Sequence, residues 1–138
     1  MASVNGIDGY GAPADYAGAL RVLVVEDEEA ARVATRRYLQ YCGYDVDAAA
    51  SVPEAIAKAA AMRPDVVVCD WKLNGHDGIE VARFVRREYG AAVIFVTAHA
   101  LADLRRNIAD LGAVDCLRKP ISLNALAAVV AAAPISCH

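Results

Sequence analysis

Apolar residues gather along this chain in short unbroken runs rather than in alternation with polar ones. Val22-Leu23-Val24-Val25, Val66-Val67-Val68-Cys69 and Val93-Ile94-Phe95-Val96 are the clearest, and all are rich in β-branched side chains. A strand with one wet face alternates, so unbroken runs predict strands covered on both faces, as in a parallel sheet. Residues 44–48 and 113–117 are weaker strand candidates. Between the runs the spacing becomes helical. Gly78, Val81, Ala82 and Val85 fall at i, i+3, i+4 and i+7, as do Leu123, Leu126, Ala127 and Val130; Leu101, Leu104, Ile108 and Leu111 form a similar stripe. Ser51-Val52-Pro53-Glu54 has the form of a capping box, with Pro53 in the first turn, where a missing N–H costs nothing. A first helix, roughly 28–41, stops at Cys42-Gly43, a good helix end.

Strand and helix thus alternate five times. That order predicts an α/β fold with parallel strands and helices on both faces, and five repeats are too few for a closed eight-strand barrel. What remains is a doubly wound five-stranded parallel sheet, flavodoxin-like (β/α)5, of strand order 2-1-3-4-5. Residues 1–19, with four glycines and Pro13 among small and polar side chains, read as a flexible N-terminal leader. Residues 20–133 form the single domain and 134–138 a short C-terminal tail, too short for an output domain.

Composition narrows the function classes. Hydrophobic residues are 57% of the chain, enough for a real core, and alanine fills 30 of 138 positions, which predicts closely packed helices. With 17 acids against 14 bases the net charge is −3, which argues against direct nucleic-acid binding or an anionic membrane surface. No apolar stretch reaches the ~18–20 residues of a membrane span. Nothing resembles a signal peptide, so a cytoplasmic location is expected. Cys42, Cys69, Cys116 and Cys137 have no metal-binding spacing; most are expected to be small buried hydrophobes, with Cys137 a loose thiol in the tail.

In open α/β sheets ligands sit at the carboxyl ends of the strands, near the switch point between strands 1 and 3. Glu26 and Asp27 follow strand 1, Asp70 ends strand 3, Thr97 ends strand 4 and Lys119 follows strand 5. Acids after a strand often only begin a helix, and a Thr or Lys there is commonplace; their joint placement on one edge is harder to dismiss. Three crowded carboxylates would not all stay ionised without a cation. All-oxygen ligation favours Mg2+ (or Mn2+) over zinc. Asp70 is then the natural nucleophile toward a phosphoryl group, with Lys119 and Thr97 contacting its oxygens.

Leu23-Val24-Val25-Glu26-Asp27-Glu28, Val68-Cys69-Asp70, Asp77-Gly78, Val96-Thr97-Ala98 and Lys119-Pro120 resemble the motifs of the receiver domain of two-component response regulators, in order and over about residues 20–133. The resemblance implies that Asp70 accepts a phosphoryl group from a sensor histidine kinase or a histidine phosphotransfer protein. It implies a metal site of Glu26, Asp27, Asp70 and the backbone carbonyl of Lys72, with Glu26 acting through a coordinated water. It further implies that Thr97 and Lys119 engage the phosphate, that Lys119-Pro120 is a cis turn, and that Ala98 leaves room for the donor. A stand-alone regulator signalling to an unknown protein target is the expected role, with a homodimer through the helix 4–strand 5–helix 5 face left open.

The sequence departs from that pattern in two places. Cys116 stands where the family usually has Tyr or Phe, which puts the usual output switch in doubt. Asn74 stands where many members carry Pro, so a looser loop is expected, although Asn74-Gly75 can still turn tightly. His76 and His99 lie near the mouth, as tuning groups or plain surface residues, and Trp71 is expected to cap the pocket and report on it. Arg36-Arg37, Arg86-Arg87 and Arg105-Arg106 read as solvated helix faces. Two rivals remain: a receiver-like interaction module that needs no phosphorylation, and a phosphatase of the haloacid dehalogenase type. The second would need an Asp two residues beyond Asp70, where this chain has Lys72.

Overall fold

In the computed structural model, residues 19–112 and 114–134 are described. Most of the expected leader, Ala113, most of the tail and Cys137 therefore lie outside the described residues. The elements run β1 (Arg21–Val25), α1 (Glu29–Tyr41), β2 (Asp45–Ala49), α2 (Val52–Met62), β3 (Val66–Asp70), β4 (Lys72–Leu73), β5 (His76–Asp77), α3 (Ile79–Tyr89), β6 (Ala92–Thr97), α4 (Leu101–Ile108), β7 (Val114–Arg118) and α5 (Leu123–Ala131). Five strands form one sheet in the order β2-β1-β3-β6-β7, every neighbouring pair parallel. Setting aside the small antiparallel β4–β5 hairpin, this is the expected 2-1-3-4-5 order.

The unbroken apolar runs are explained by the two cores. Successive residues of a strand point to opposite faces. Leu23, Val25, Val67, Cys69, Val93 and Phe95 enter one core with α2, α3 and α4. Val22, Val24, Val66, Val68, Ile94 and Val96 enter the other with Leu39 of α1 and Leu126 and Val130 of α5. Neither face of the three central strands meets water, so neither needs polar residues.

The helix ends follow the expected chemistry. Ser51 Oγ accepts the Glu54 N–H at 3.3 Å, and Glu54 returns by accepting the Ala50 N–H at 2.8 Å. Gly43, with φ at +102°, follows the α1 cap Cys42 in a conformation a side chain would oppose. The stripe ending at Leu111 overshoots, since α4 stops at Ile108. Among the described cysteines only Cys69 is buried; Cys42 is exposed because it ends α1, and Cys116 is half-buried. Arg86 is not a solvated face residue either. Its guanidinium donates to the carbonyls of Leu111 (3.1 Å) and Ala91 (3.1 Å), tacking α3 to the segment after α4. Among the described residues, no helix is long and apolar enough to cross a membrane.

Helix α1 is thinly anchored, with Leu39 its one buried residue. Its small side chains Ala31, Ala34 and Thr35 line a cleft of about 570 Å³ that reaches Val68, Val96 and Leu126 below and opens on Glu26, Asp70 and Lys119. Leu39→Ala should therefore cost about 2–5 kcal/mol by denaturant unfolding, a full core penalty from a helix that otherwise contributes little burial.

Candidate functional site

Four chain segments meet at the carboxyl edge of the sheet, because parallel strands place all their C-termini on one side. β1 and β3 are neighbours, so Glu26 and Asp27 after β1 lie beside Asp70 at the end of β3. One oxygen from each of the three acids lies within 4.8 Å of the others. Lys119 enters from beyond β7, after a Lys119 N–H to Thr97 carbonyl bond of 2.8 Å and ahead of a cis bond to Pro120. Its ammonium stands 2.9 Å from Asp70 Oδ1 and 3.3 Å from Glu26 Oε1.

The acids are shielded: Glu26 is 9% and Asp70 8% exposed. Burial, then the hydrogen bond and charge of Glu26, push the Asp70 carboxyl up to about 7 against the pull of Lys119. Burial also acts upward on Glu26, but the Asp70 hydrogen bond, the Glu28 N–H at 3.0 Å and Lys119 outweigh it and hold Glu26 below its ordinary value. Lys119 loses by burial and gains more from the two acids, so its ammonium is held more firmly than usual. The two acids are thus pushed apart, Asp70 toward holding a proton and Glu26 toward giving its own up, with Lys119 as counter-charge.

Thr97 is buried at 2% exposure, and its Oγ1 accepts the His99 N–H at 3.0 Å. It belongs to β6, next to β3, one position beyond the Asp70–Val96 pair. Ala98 lines the cleft beside Asp70 and Lys119. Trp71 is buried in the core below α3 and α4, with His99 edge-on at 5.6 Å and the Lys72 ammonium 4.4 Å from its ring centre. His76 and His99 are both exposed. The Lys72 side chain leans toward Asp77, 4.0 Å away, rather than into the acids.

Several contributors were not anticipated. The Arg32 Nη1 donates to the carbonyls of Glu26 (3.0 Å) and Asp27 (3.4 Å), fastening the acidic loop from α1. Its only signal was a basic residue one turn past the N-cap Glu28. The loop after Asp70 folds into a tight hairpin. Asn74 (φ +50°) and Gly75 (φ +84°) form a two-residue turn joining β4 to β5, and the Asn74 N–H donates to Asp27 Oδ2 at 2.9 Å. Both central residues being left-handed is what a two-residue hairpin demands, and Asn and Gly tolerate it best. At the hairpin base the Gly78 N–H meets the Trp71 carbonyl at 2.6 Å.

A family model for the response regulator receiver domain matches residues 22–131. The chain is a response regulator receiver domain. Among relatives of this receiver domain, Response regulator MprA from Mycolicibacterium vanbaalenii is 40% identical over 110 residues, covering 79% of this chain and 48% of that protein. Transcriptional regulatory protein ResD from Bacillus subtilis is 34% identical, covering 78% and 45%. The receiver domain thus spans about half the length of these relatives. In structure it is similar to the chemotaxis protein CheY4 of Vibrio cholerae, with 28% identity, a TM-score of 0.78, and 85% of this chain and all of that one covered. It is similar too to the HemR receiver domain of Leptospira biflexa, at 27% identity and a TM-score of 0.76, covering 86% and 98%.

Two outcomes test the local geometry. A Cβ on Gly78 would overlap the Asp70 carbonyl oxygen and stand 3.0 Å from Cys69 Sγ, so Gly78→Ala must displace the Asp70 backbone. A loss of about 1–3 kcal/mol is expected in urea unfolding, with shifted Trp71 emission. The Asp70 carboxyl, raised from 3.8 to about 7, keeps in the folded state a proton that the unfolded chain releases. Without divalent cations this group's contribution to stability falls as pH rises from about 4 to about 7. Asp70→Asn should therefore gain on the wild type across that window, by on the order of 2 kcal/mol above neutrality, in melts at several pH values.

Proposed function

We propose that Asp70 receives a phosphoryl group from a phosphohistidine on a sensor histidine kinase or histidine phosphotransfer protein, and that the domain then signals by changing shape and binding another protein. The observation carrying this reading is the Lys119 ammonium 2.9 Å from Asp70 Oδ1, beside three carboxylates whose oxygens gather within 4.8 Å. The donor set is all oxygen, which fits a hard cation, Mg2+ (or Mn2+), better than zinc. Glu26, Asp27 and Asp70 would hold it, with the Lys72 backbone carbonyl as a further ligand. Such an ion would neutralise the crowded acids, favour ionised Asp70 and draw in phosphoryl oxygens.

The chain's own groups supply the rest. Ionised Asp70 attacks phosphorus; a P–O bond forms, the P–N bond breaks, and its electron pair leaves on the imidazole, which takes up a proton. Lys119 balances the charge that the oxygens carry, and the Thr97 hydroxyl, one position past the neighbouring strand partner of Asp70, offers a hydrogen bond to them. The Thr97 oxygen now accepts the His99 N–H, which leaves its O–H to donate, and a swing of the side chain toward the phosphoryl group would loosen that bond. That movement is the proposed trigger on the α4 side of the sheet. Cys116, half-buried beside Phe95 in β7, has no ring to turn inward, so the rearrangement of α4, β7 and α5 is expected to be smaller than in aromatic-bearing relatives.

This assigns the domain to signalling, with any chemistry confined to its own phosphorylation and dephosphorylation. The unit proposed for it is residues 20–133. Regulation of transcription belongs to the names of relatives such as ResD, which are about twice as long.

Incubation with acetyl phosphate and Mg2+ should add one phosphoryl group by intact mass, acid-stable and base-labile. The adduct should vanish in Asp70→Asn and fall by about tenfold or more in Lys119→Ala. A folded protein that stays unmodified would instead favour a receiver-like interaction module.

A further inference from the structure

We propose that Asn74 is a positioning residue for Asp27: its backbone N–H, presented by the β4–β5 hairpin, pins Oδ2 of Asp27 and leaves Oδ1 to a divalent cation. The inference rests on the cation-site reading above. The bond is 2.9 Å long and joins residues 47 apart, tying the loop after β1 to the loop after Asp70. It exists because of the hand of the turn. Asn74 at φ +50° and Gly75 at φ +84° are both left-handed, and Lys72 pairs with Asp77 and Leu73 with His76 on either side. The base of the hairpin is closed by the Gly78 N–H on the Trp71 carbonyl (2.6 Å) and the Ile79 N–H on Asp77 Oδ1 (2.9 Å), so its tip has a defined place to reach from.

Asp27 needs such a restraint. Glu26 is held by the Glu28 N–H and by Lys119, and Asp70 by Lys119. The Asp27 carboxylate lies on the open side of the nest, half-buried, and its ordering contact comes from the hairpin. A carboxylate with one oxygen fixed by an N–H pays less ordering cost when the other oxygen ligates, the usual benefit of an outer partner to a metal ligand.

Proline changes both the donor and the turn. It has no N–H, and its φ near −65° excludes the observed conformation. Followed by Gly75, however, it suits a type II turn, which also reverses the chain within two residues. Asn74→Pro therefore removes the donor, and it trades the observed left-handed turn for one whose twist suits the flanking strands less well. Asn74→Gly keeps both the donor and the left-handed conformation.

The test is a titration with Mg2+ alone at fixed pH and ionic strength, followed by Trp71 fluorescence, on wild type, Asn74→Gly and Asn74→Pro. The expected result is a Kd within about twofold of wild type for Asn74→Gly and about tenfold weaker for Asn74→Pro, the low end for an outer partner because the bond is exposed. An amide-to-ester replacement at residue 74 deletes the same N–H within the native turn, so it separates the donor from the turn and must give the same weakening. Equal affinity across the set would overturn the role of Asn74 while leaving the cation site standing. A wild-type protein that binds no Mg2+ would remove the cation site itself, and this role with it.

Discussion

The Lys119 ammonium stands between two buried carboxylates, Asp70 and Glu26, that cannot both carry charge at such close quarters without it. Most of the architecture on this edge of the sheet serves that arrangement. Parallel strands bring the chain ends together; the Thr97 carbonyl receives the Lys119 N–H and so directs the last segment back over β6. Arg32 braces the carbonyls of the acidic loop, and the Glu28 N–H takes up the second oxygen of Glu26. Even with these contacts the Asp70 carboxyl is pushed up to about 7, while Glu26 is held below its ordinary value. Positive charge added beside these acids would favour their ionised forms.

A weakly anchored α1 borders this charged edge. Alanines at 31 and 34 and Thr35 leave a cleft of about 570 Å³ beneath the acids, where larger side chains would fill the gap to α5. The two features together place Asp70 between a polar, tightly braced loop and an apolar, loosely filled hollow. The opposite face is different, with Cys69, Phe95, Val81 and Leu104 fully buried. Changes in the site are thus expected to be relayed through small displacements over β6 and β7 rather than through collapse of that well-packed core.

The fold was largely legible because its signal is physical. Strands buried on both faces have no polar positions to lose, so the three apolar runs announced the centre of the sheet, and the helical stripes supplied the layers. The shared edge follows from topology: the strand order alone puts Glu26, Asp27, Asp70, Thr97 and Lys119 on one side of the sheet. What escaped were contacts that depend on backbone hand or on reach. An Asn-Gly pair in a loop signals a turn, but that its N–H points at Asp27 depends on two positive φ values and on the placement of a strand 47 residues away. Arg86 and Cys42 depart from the general expectation for their residue types through reach and position. A long guanidinium can fold back onto carbonyls, and a thiol at a helix end is turned outward whatever its hydrophobicity.

The proposal most open to direct test is that the acid nest gives up a proton held at Asp70 when a hard cation binds. The direct measurement is proton release on adding Mg2+ to weakly buffered protein at about pH 6, a unit below the Asp70 value of about 7. Release of about one proton per bound ion, lost in Asp70→Asn, is the predicted result. Binding of Mg2+ with no proton released, or release that persists unchanged in Asp70→Asn, would contradict it.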